Sequence, residues 1–246
     1  MSEWKQGTIV ENLRWSEHLH SLKIDVDGPD FIAGQYTRLA LDIDGVKVAR
    51  PYSFVNPPQG KTYEFYFNSV PGGPLSTRLI NMNAGDNIWV SDKPAGFLTL
   101  EEVPEGSELW LLATGTAVGP FLSILRTDEV WQRFERIVLV YAVRHGLDLS
   151  YQDLLNQIAM DNQQFSWLPF VSREAASNAM AGRIPAAIDD GSLEQRVGME
   201  FDPQRSQVMI CGNPDMVKDS IVSLKGKGLQ KNLRHNPGHI TVERYW

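Results

Sequence analysis

Apolar and polar positions alternate in short runs through the first hundred residues. Leu22, Ile24 and Val26 alternate within residues 19–26, and Leu39, Leu41 and Ile43 within residues 36–43. A period of two marks a strand with one buried face. Further β-compatible runs lie at residues 7–11, 46–50, 63–70 and 88–90, with turn residues at Gly28-Pro29-Asp30 and Asp44-Gly45. Several short strands between such turns predict a small antiparallel barrel. One interruption stands out. The loop Pro71-Gly72-Gly73-Pro74 is followed by Leu75, Leu79 and Met82 at helical spacing, with Ser76 placed to cap the helix. That helix either plugs the barrel or offers its first N–H groups to a diphosphate.

The pattern changes after residues 101–107, an acidic, breaker-rich stretch that reads as a linker. Beyond it, continuous apolar runs at residues 109–113 and 137–142 suit strands buried on both faces. Helical periodicity around Ile124, over 151–160 and over 215–224 alternates with further strand-like runs at 165–171 and 207–210. This β-then-α alternation predicts a doubly wound parallel sheet. The organisation expected is two domains: an antiparallel β-barrel over 1–100, the linker over 101–107, and an α/β domain over 108–246.

Composition narrows the function classes. Hydrophobic residues at 42% and charged residues at 22% are those of a globular chain with a core in each half. A net charge of −7 argues against a general nucleic-acid binder. The single cysteine, Cys211, excludes an internal disulfide, a zinc site built on several cysteines and an iron–sulfur cluster held by this chain. The first residues lack a basic region followed by an apolar run, and no stretch approaches the ~20 apolar residues of a membrane span. A cytoplasmic protein is expected.

Five stretches carry candidate chemistry. Arg50-Pro51-Tyr52-Ser53 sets a guanidinium, a flat aromatic ring and a small hydroxyl within four positions, which suits the pyrophosphate, ring system and N5 of a flavin. Gly115-Thr116-Ala117-Val118-Gly119-Pro120 is a strand–glycine turn–helix junction of the kind that admits a pyrophosphate, with Pro120 near the helix start. Arg144, Arg173 and Arg183 follow predicted strands or loops, and converging guanidiniums favour a coenzyme with an extra phosphate. Cys211-Gly212-Asn213-Pro214 ends the last buried strand, where the thiol either borders a nicotinamide or packs as a small hydrophobe. The terminal Tyr245-Trp246 pair either covers a flat cofactor or docks into the core. The histidines show no metal-ligand spacing.

Together, Arg50-Pro-Tyr-Ser, Gly115-Thr-Ala-Val-Gly-Pro-Phe, Cys211-Gly-Asn-Pro and the Val-Glu-Arg-Tyr-Trp ending resemble the bacterial-type ferredoxin/flavodoxin–NADP reductases, in the same order along nearly the whole chain. The resemblance implies FAD on the N-terminal barrel and NADP(H) on the C-terminal domain. Hydride would pass between NADP(H) and FAD, and single electrons to or from ferredoxin or flavodoxin. It carries Arg50, Pro51, Tyr52, Ser53, Phe67, Asn68, Ser69, Pro74, Leu75, Ser76, Thr116, Tyr245 and Trp246 over to FAD. Val143, Arg144, Ser172, Arg173 and Arg183 match the NADP site, and Ser53, Cys211 and Glu243 the hydride-transfer centre. A monomer is expected. The basic run Lys225, Lys227, Lys231, Arg234 and His235 is a candidate patch for an acidic partner, or a solvated surface. An oxygenase reductase component would bring its own iron–sulfur domain, and a regulatory module that had lost its flavin would not keep Arg50, Tyr52 and Ser53.

Overall fold

The computed structural model describes residues 4–60 and 62–244. Packing divides the chain into two compact units, one of residues 1–99 and 119–127, the other of residues 100–118 and 128–246.

The first unit is a six-stranded antiparallel sheet. Its strands are β1 (Trp4–Arg14), β2 (Leu19–Asp25), β3 (Tyr36–Ile43), β4 (Val46–Ser53), β5 (Thr62–Asn68) and β6 (Asn87–Ser91), in the order β4-β3-β6-β1-β2-β5. The sheet curls until its two edges meet at an antiparallel bridge between Phe54 and Phe65, so the predicted barrel closes. Inward positions of the alternating runs, among them Ile9, Leu22, Ile24, Leu39, Ile88 and Val90, form the core. Phe54 is fully buried at its centre, stacked on Phe31 at 3.8 Å and edge-on to Tyr63 at 5.2 Å.

A single helical turn, α1 (Ser76–Leu79), plugs one end of the barrel through Leu75 and Leu79. Ser76 is its first helical residue and not its cap: the buried hydroxyl instead accepts the Val70 N–H at 2.9 Å and closes the loop before it. That loop is tight at Gly73, where a Cβ would crowd the Val70 carbonyl oxygen at 3.0 Å. Beyond the turn, Asn12 Nδ2 donates to the Met82 carbonyl at 2.7 Å and lies 3.1 Å from that of Leu79, satisfying carbonyls that a helix end leaves open. His20 Nδ1 sits 2.9 Å from Asn12 Oδ1, an acceptor, so this nitrogen carries the proton. His20 is structural, as is His239, whose Nδ1 accepts the Gln230 N–H.

The second unit is a parallel sheet of β7 (Glu108–Thr114), β8 (Arg136–Val143), β9 (Phe165–Val171), β10 (Met180–Ala181), β11 (Ser206–Gly212) and β12 (Ile240–Arg244), ordered β10-β9-β8-β7-β11-β12. Its helices are α3 (Asp128–Arg133), α4 (Gln152–Asp161), α5 (Ile184–Asp189), α6 (Ser192–Val197) and α7 (Pro214–Gly226). The central strands are buried along almost their whole length, as the continuous apolar runs imply. The sequence pattern misses β10 and β12. The first is two residues long, and the second is read only as a terminal aromatic motif.

Helix α2 (Gly119–Leu125) follows β7 in sequence but packs with the barrel. There the Ser123 hydroxyl donates to the Asn56 carbonyl at 2.7 Å, and Arg126 pairs with Glu64 at 3.6 Å. Residues 101–107, read as a linker, are held against the second unit. Val103 is buried, and the Arg133 guanidinium donates to the carbonyls of Leu100, Val103 and Pro104.

Candidate functional site

The expected flavin residues come from two distant stretches that barrel closure joins. Tyr52 stands two residues before the Phe54–Phe65 bridge on β4, and Phe67 two residues after it on β5. In an antiparallel pair those positions face each other, and the two rings meet edge-on at 5.8 Å and 79°. The Arg50–Ser53 stretch is the end of a strand, zipped to β3 through Leu39↔Arg50, Arg38↔Pro51, Thr37↔Tyr52 and Tyr36↔Ser53. Burial deepens toward the end of the strand. Ser53 is buried, Tyr52 half-buried, and Arg50 and Pro51 exposed. Burial pushes the Tyr52 phenol up to about 12, against a smaller opposing effect of Arg50, so Tyr52 stays a neutral ring at every physiological pH. Arg50 has no acidic partner among the described residues; its Nη1 donates only to its neighbour Ala49 at 2.7 Å. An unpaired guanidinium beside a half-buried flat ring fits a cofactor that joins a diphosphate to an aromatic system.

Asn68 and Ser69 continue from Phe67 along the same edge. Asn68 pairs with Leu19, and the Ser69 N–H donates to the His18 carbonyl at 2.8 Å. The Val70–Ser76 bond then folds Pro74, Leu75 and Ser76 back toward this strand. The structure thus brings residues 50–53, 67–69 and 74–76 together on one unit.

In the second unit the remaining candidates line the carboxyl edge of the parallel sheet. Val143, Val171 and Ala181 are in register at the ends of β8, β9 and β10. Arg144 and Ser172-Arg173 therefore emerge side by side, and Arg183 follows one residue after Gly182, whose N–H donates to Val171. All three arginines are exposed, and none has an ion-pair partner among the described residues. Ser172 is tied to the Val143 carbonyl by both its N–H, at 3.1 Å, and its hydroxyl, at 3.3 Å.

The strand order reverses between β7 and β11, and such reversal points open the crevice in which α/β sheets bind ligands. Thr116 lies just beyond β7 in the 3-10 turn Gly115–Val118. Across the crevice Gly212 has φ +141°, and a Cβ there would come within 2.0 Å of Thr114 Oγ1. Only glycine lets β11 close on that hydroxyl, which accepts the Asn213 N–H at 2.9 Å. The pattern of the sequence does not single out Thr114, since an isolated strand-end hydroxyl carries no periodic signal.

Cys211 is fully buried on β11, in register with Ala113 on one side and Glu243 of β12 on the other. Burial pushes the Glu243 carboxyl up to about 7, and its Oε2 is enclosed with no hydrogen-bond partner among the described residues. A shielded, unsatisfied acid at a strand end is a mark of a working site. Tyr245 and Trp246 lie outside the described residues. No group of three or more His, Cys, Asp or Glu among the described residues is placed to hold a metal.

The chain is similar over its length to known proteins. Residues 111–221 match the oxidoreductase NAD-binding domain family. The flavodoxin/ferredoxin–NADP reductase of Escherichia coli strain K12 is 43% identical over 248 residues, covering all of both chains. The chain belongs to the flavodoxin/ferredoxin–NADP reductase family. The ferredoxin–NADP reductase of Pseudomonas aeruginosa is 33% identical, covering 99% of this chain and 98% of that one. A crystal structure of a Neisseria gonorrhoeae ferredoxin NADP+ reductase with bound FAD and NADP covers both chains fully, with a TM-score of 0.94 at 31% identity.

Charge is divided unevenly in this reductase. The first unit carries ten Lys and Arg against eleven Asp and Glu, and the second thirteen against nineteen. The overall −7 is thus mostly a property of the second unit. The basic run at residues 225–235 leads into the amino-terminal end of β12, the edge opposite Thr116, Arg144 and Glu243. Within it, Lys227 is already paired with Glu194. No helix among the described residues is long and apolar enough to cross a membrane.

Proposed function

We propose that the first unit holds FAD and the second NADP(H), and that the chain moves reducing equivalents between NADP(H) and a flavodoxin or ferredoxin as a cytoplasmic monomer. When bound, the flavin supplies the chemistry, exchanging hydride with the nicotinamide and electrons singly with the protein partner. The residues present fit that group: a diphosphate partner at Arg50, a neutral ring at Tyr52 braced by Phe67, and a hydroxyl at Ser53.

Each side chain has a role that its surroundings allow. Arg50 binds the FAD pyrophosphate, helped by the backbone of Pro74, Leu75 and Ser76. Tyr52 orients the isoalloxazine by its face, while Phe67, Asn68 and Ser69 border it. Ser53 donates a hydrogen bond near N5. Thr116 supports the nicotinamide end of the coenzyme, and Gly212 lets β11 close on the Thr114 hydroxyl. Cys211 excludes water there. Glu243, with its carboxyl raised to about 7, is partly protonated at neutral pH and able to hold a proton. Val143, Arg144, Ser172, Arg173 and Arg183 take the adenosine 2′-phosphate, which is what prefers NADP(H) to NAD(H).

The observation that carries this reading is the register of Val143, Val171 and Ala181, beyond which follow three arginines with no ion-pair partner among the described residues. Partner docking is assigned to the first unit, whose nearly balanced charge does not repel an acidic protein as the second unit would. The test is a purified protein with a yellow flavin spectrum that NADPH bleaches anaerobically. Arg173→Ala should raise the KM for NADPH tenfold or more, the loss expected from a charge-assisted phosphate contact worth about 1.5–3 kcal/mol, and leave NADH unchanged. Equal losses with both coenzymes would remove Arg173 from the phosphate site.

A further inference from the structure

The row of arginines needs something to hold its loops in place, and the main chain does so only part of the way. The β8–β9 ladder runs past both strand ends, with the Ser172 N–H donating to Val143 and the Arg173 N–H to Arg144 at 3.1 and 3.0 Å. There the backbone pairing stops. The next link is a side chain. Glu174 Oε1 accepts the Gly146 N–H at 2.7 Å, and its Oε2 faces His145 Nδ1 at 3.3 Å. Gly146 opens the 3-10 turn Gly146–Asp148, and the side chain of His145 before it makes no capping bond. One carboxylate therefore extends the zipper by one rung and fastens the loop after β8 to the loop after β9. The Gly146 N–H, ahead of His145, is the chief reason that the Glu174 carboxyl sits below the usual range, so it is ionised at neutral pH.

This placement is odd for a site that binds a dianion. A carboxylate next to Arg173 repels the phosphate, and simple electrostatics would favour its absence. We infer that Glu174 is a positioning residue for the coenzyme phosphate: by pinning Gly146 it fixes the backbone from which Arg144 emerges against the backbone of Arg173, so both guanidiniums are set before the coenzyme arrives. Ordering two loops in advance lowers the entropy that binding must otherwise cost. The inference rests on the assignment of the arginine row to the 2′-phosphate.

The two effects of Glu174 have opposite signs and can be separated. Glu174→Gln keeps a carbonyl oxygen for the Gly146 N–H and removes the charge. Glu174→Ala removes both. Steady-state kinetics of the flavin-loaded enzyme with NADPH and with NADH, alongside calorimetric binding of adenosine 2′-phosphate, provide the readout. With Glu174→Ala, the KM for NADPH is expected to rise about fivefold to tenfold, less than the full loss of one charge-assisted bond because the pin acts only through the arginines. Its kcat should stay within twofold and NADH kinetics unchanged. Adenosine 2′-phosphate should weaken in parallel. Glu174→Gln should restore NADPH binding to the wild-type level or better. Tighter NADPH binding in Glu174→Ala would mean that the carboxylate acts only by repulsion, and unchanged binding would mean that the loops need no pin; either overturns the inference. Arg173→Ala serves as the control. If it too leaves NADPH untouched, the phosphate assignment fails; if it weakens NADPH while Glu174→Ala does not, the positioning role alone fails.

Discussion

The candidate residues of the two units are built in opposite ways. On the barrel, the flavin residues belong to strands: Tyr52 and Ser53 end β4, Phe67 and Asn68 end β5, and the fully buried Phe54 anchors the junction. On the parallel sheet, the residues assigned to the coenzyme phosphate, Arg144, Ser172, Arg173 and Arg183, stand one or two positions beyond strand ends, and the arginines are exposed. A half-buried site made of strand residues inherits the rigidity of the core behind it. A site made of loop residues must be held by local bonds, such as those of Ser172, Glu174 and Asn213. Damage to the first half should therefore be structural and large, and damage to the second chemical and graded.

The comparison breaks most sharply at Phe54. Phe54→Ala leaves a cavity among Phe31, Tyr63 and Phe65 and should cost about 3–5 kcal/mol. Denaturant unfolding should show this together with loss of bound flavin, although Phe54 itself carries no cofactor chemistry. Flavin retention with a lowered midpoint would show that the site does not depend on the core behind it.

A second effect belongs to the sheet half. Glu243 is raised from 4.5 to about 7 by burial, so the folded state holds its proton more tightly than the unfolded chain. Stability from this group is fully present below pH 4.5, falls as the pH rises toward about 7, and is level above that. The loss is on the order of 3 kcal/mol. Glu243→Gln carries no charge to bury and should lack this slope. Melting temperatures of the two proteins at pH 5 and pH 8 test it, and the variant should gain relative to the wild type at the higher pH. A constant difference would mean that the carboxyl is solvated when folded.

The smallest effect expected is that of Arg50→Ala. The side chain is exposed and among the described residues bonds only Ala49, so protein stability should hold. Flavin affinity should fall about tenfold to a hundredfold, equivalent to ~1.5–3 kcal/mol for a charge-assisted contact, as measured by titration of the apoprotein. A change in stability larger than the change in affinity would put Arg50 in the fold instead of the site.

Much of this was legible from the pattern. Alternation places β2 and β3, because a strand with one wet face must alternate, and β-compatible runs between turns place the other four strands of the barrel. The continuous apolar runs place β7 and β8, because a strand covered on both faces cannot alternate, and strand-like runs place β9 and β11. The miss at Ser76 has a clear cause. A hydroxyl ahead of a helical pattern suits a cap, but the tight loop before it left the Val70 N–H in need of an acceptor, and that need took the hydroxyl. The linker expected over 101–107 carries breakers and charge, yet Val103 and the Arg133 bonds hold it down. A single apolar residue and a distant arginine leave no local signature.

The sequence by itself determined the residue types and their order: Arg50 to Ser53, the glycine junction at 115, the three arginines and the ending at Glu243. These are short local patterns, and local chemistry is what a linear chain displays. Only the tertiary structure decided which of them meet. Closure at Phe54–Phe65 sets Tyr52 against Phe67, and the common end of β8, β9 and β10 aligns Arg144, Arg173 and Arg183. It also assigned α2 to the barrel rather than to the sheet it follows in the chain, and it gave Glu174 a partner at Gly146. Those contacts depend on strand register across long separations, which no local pattern of residues encodes.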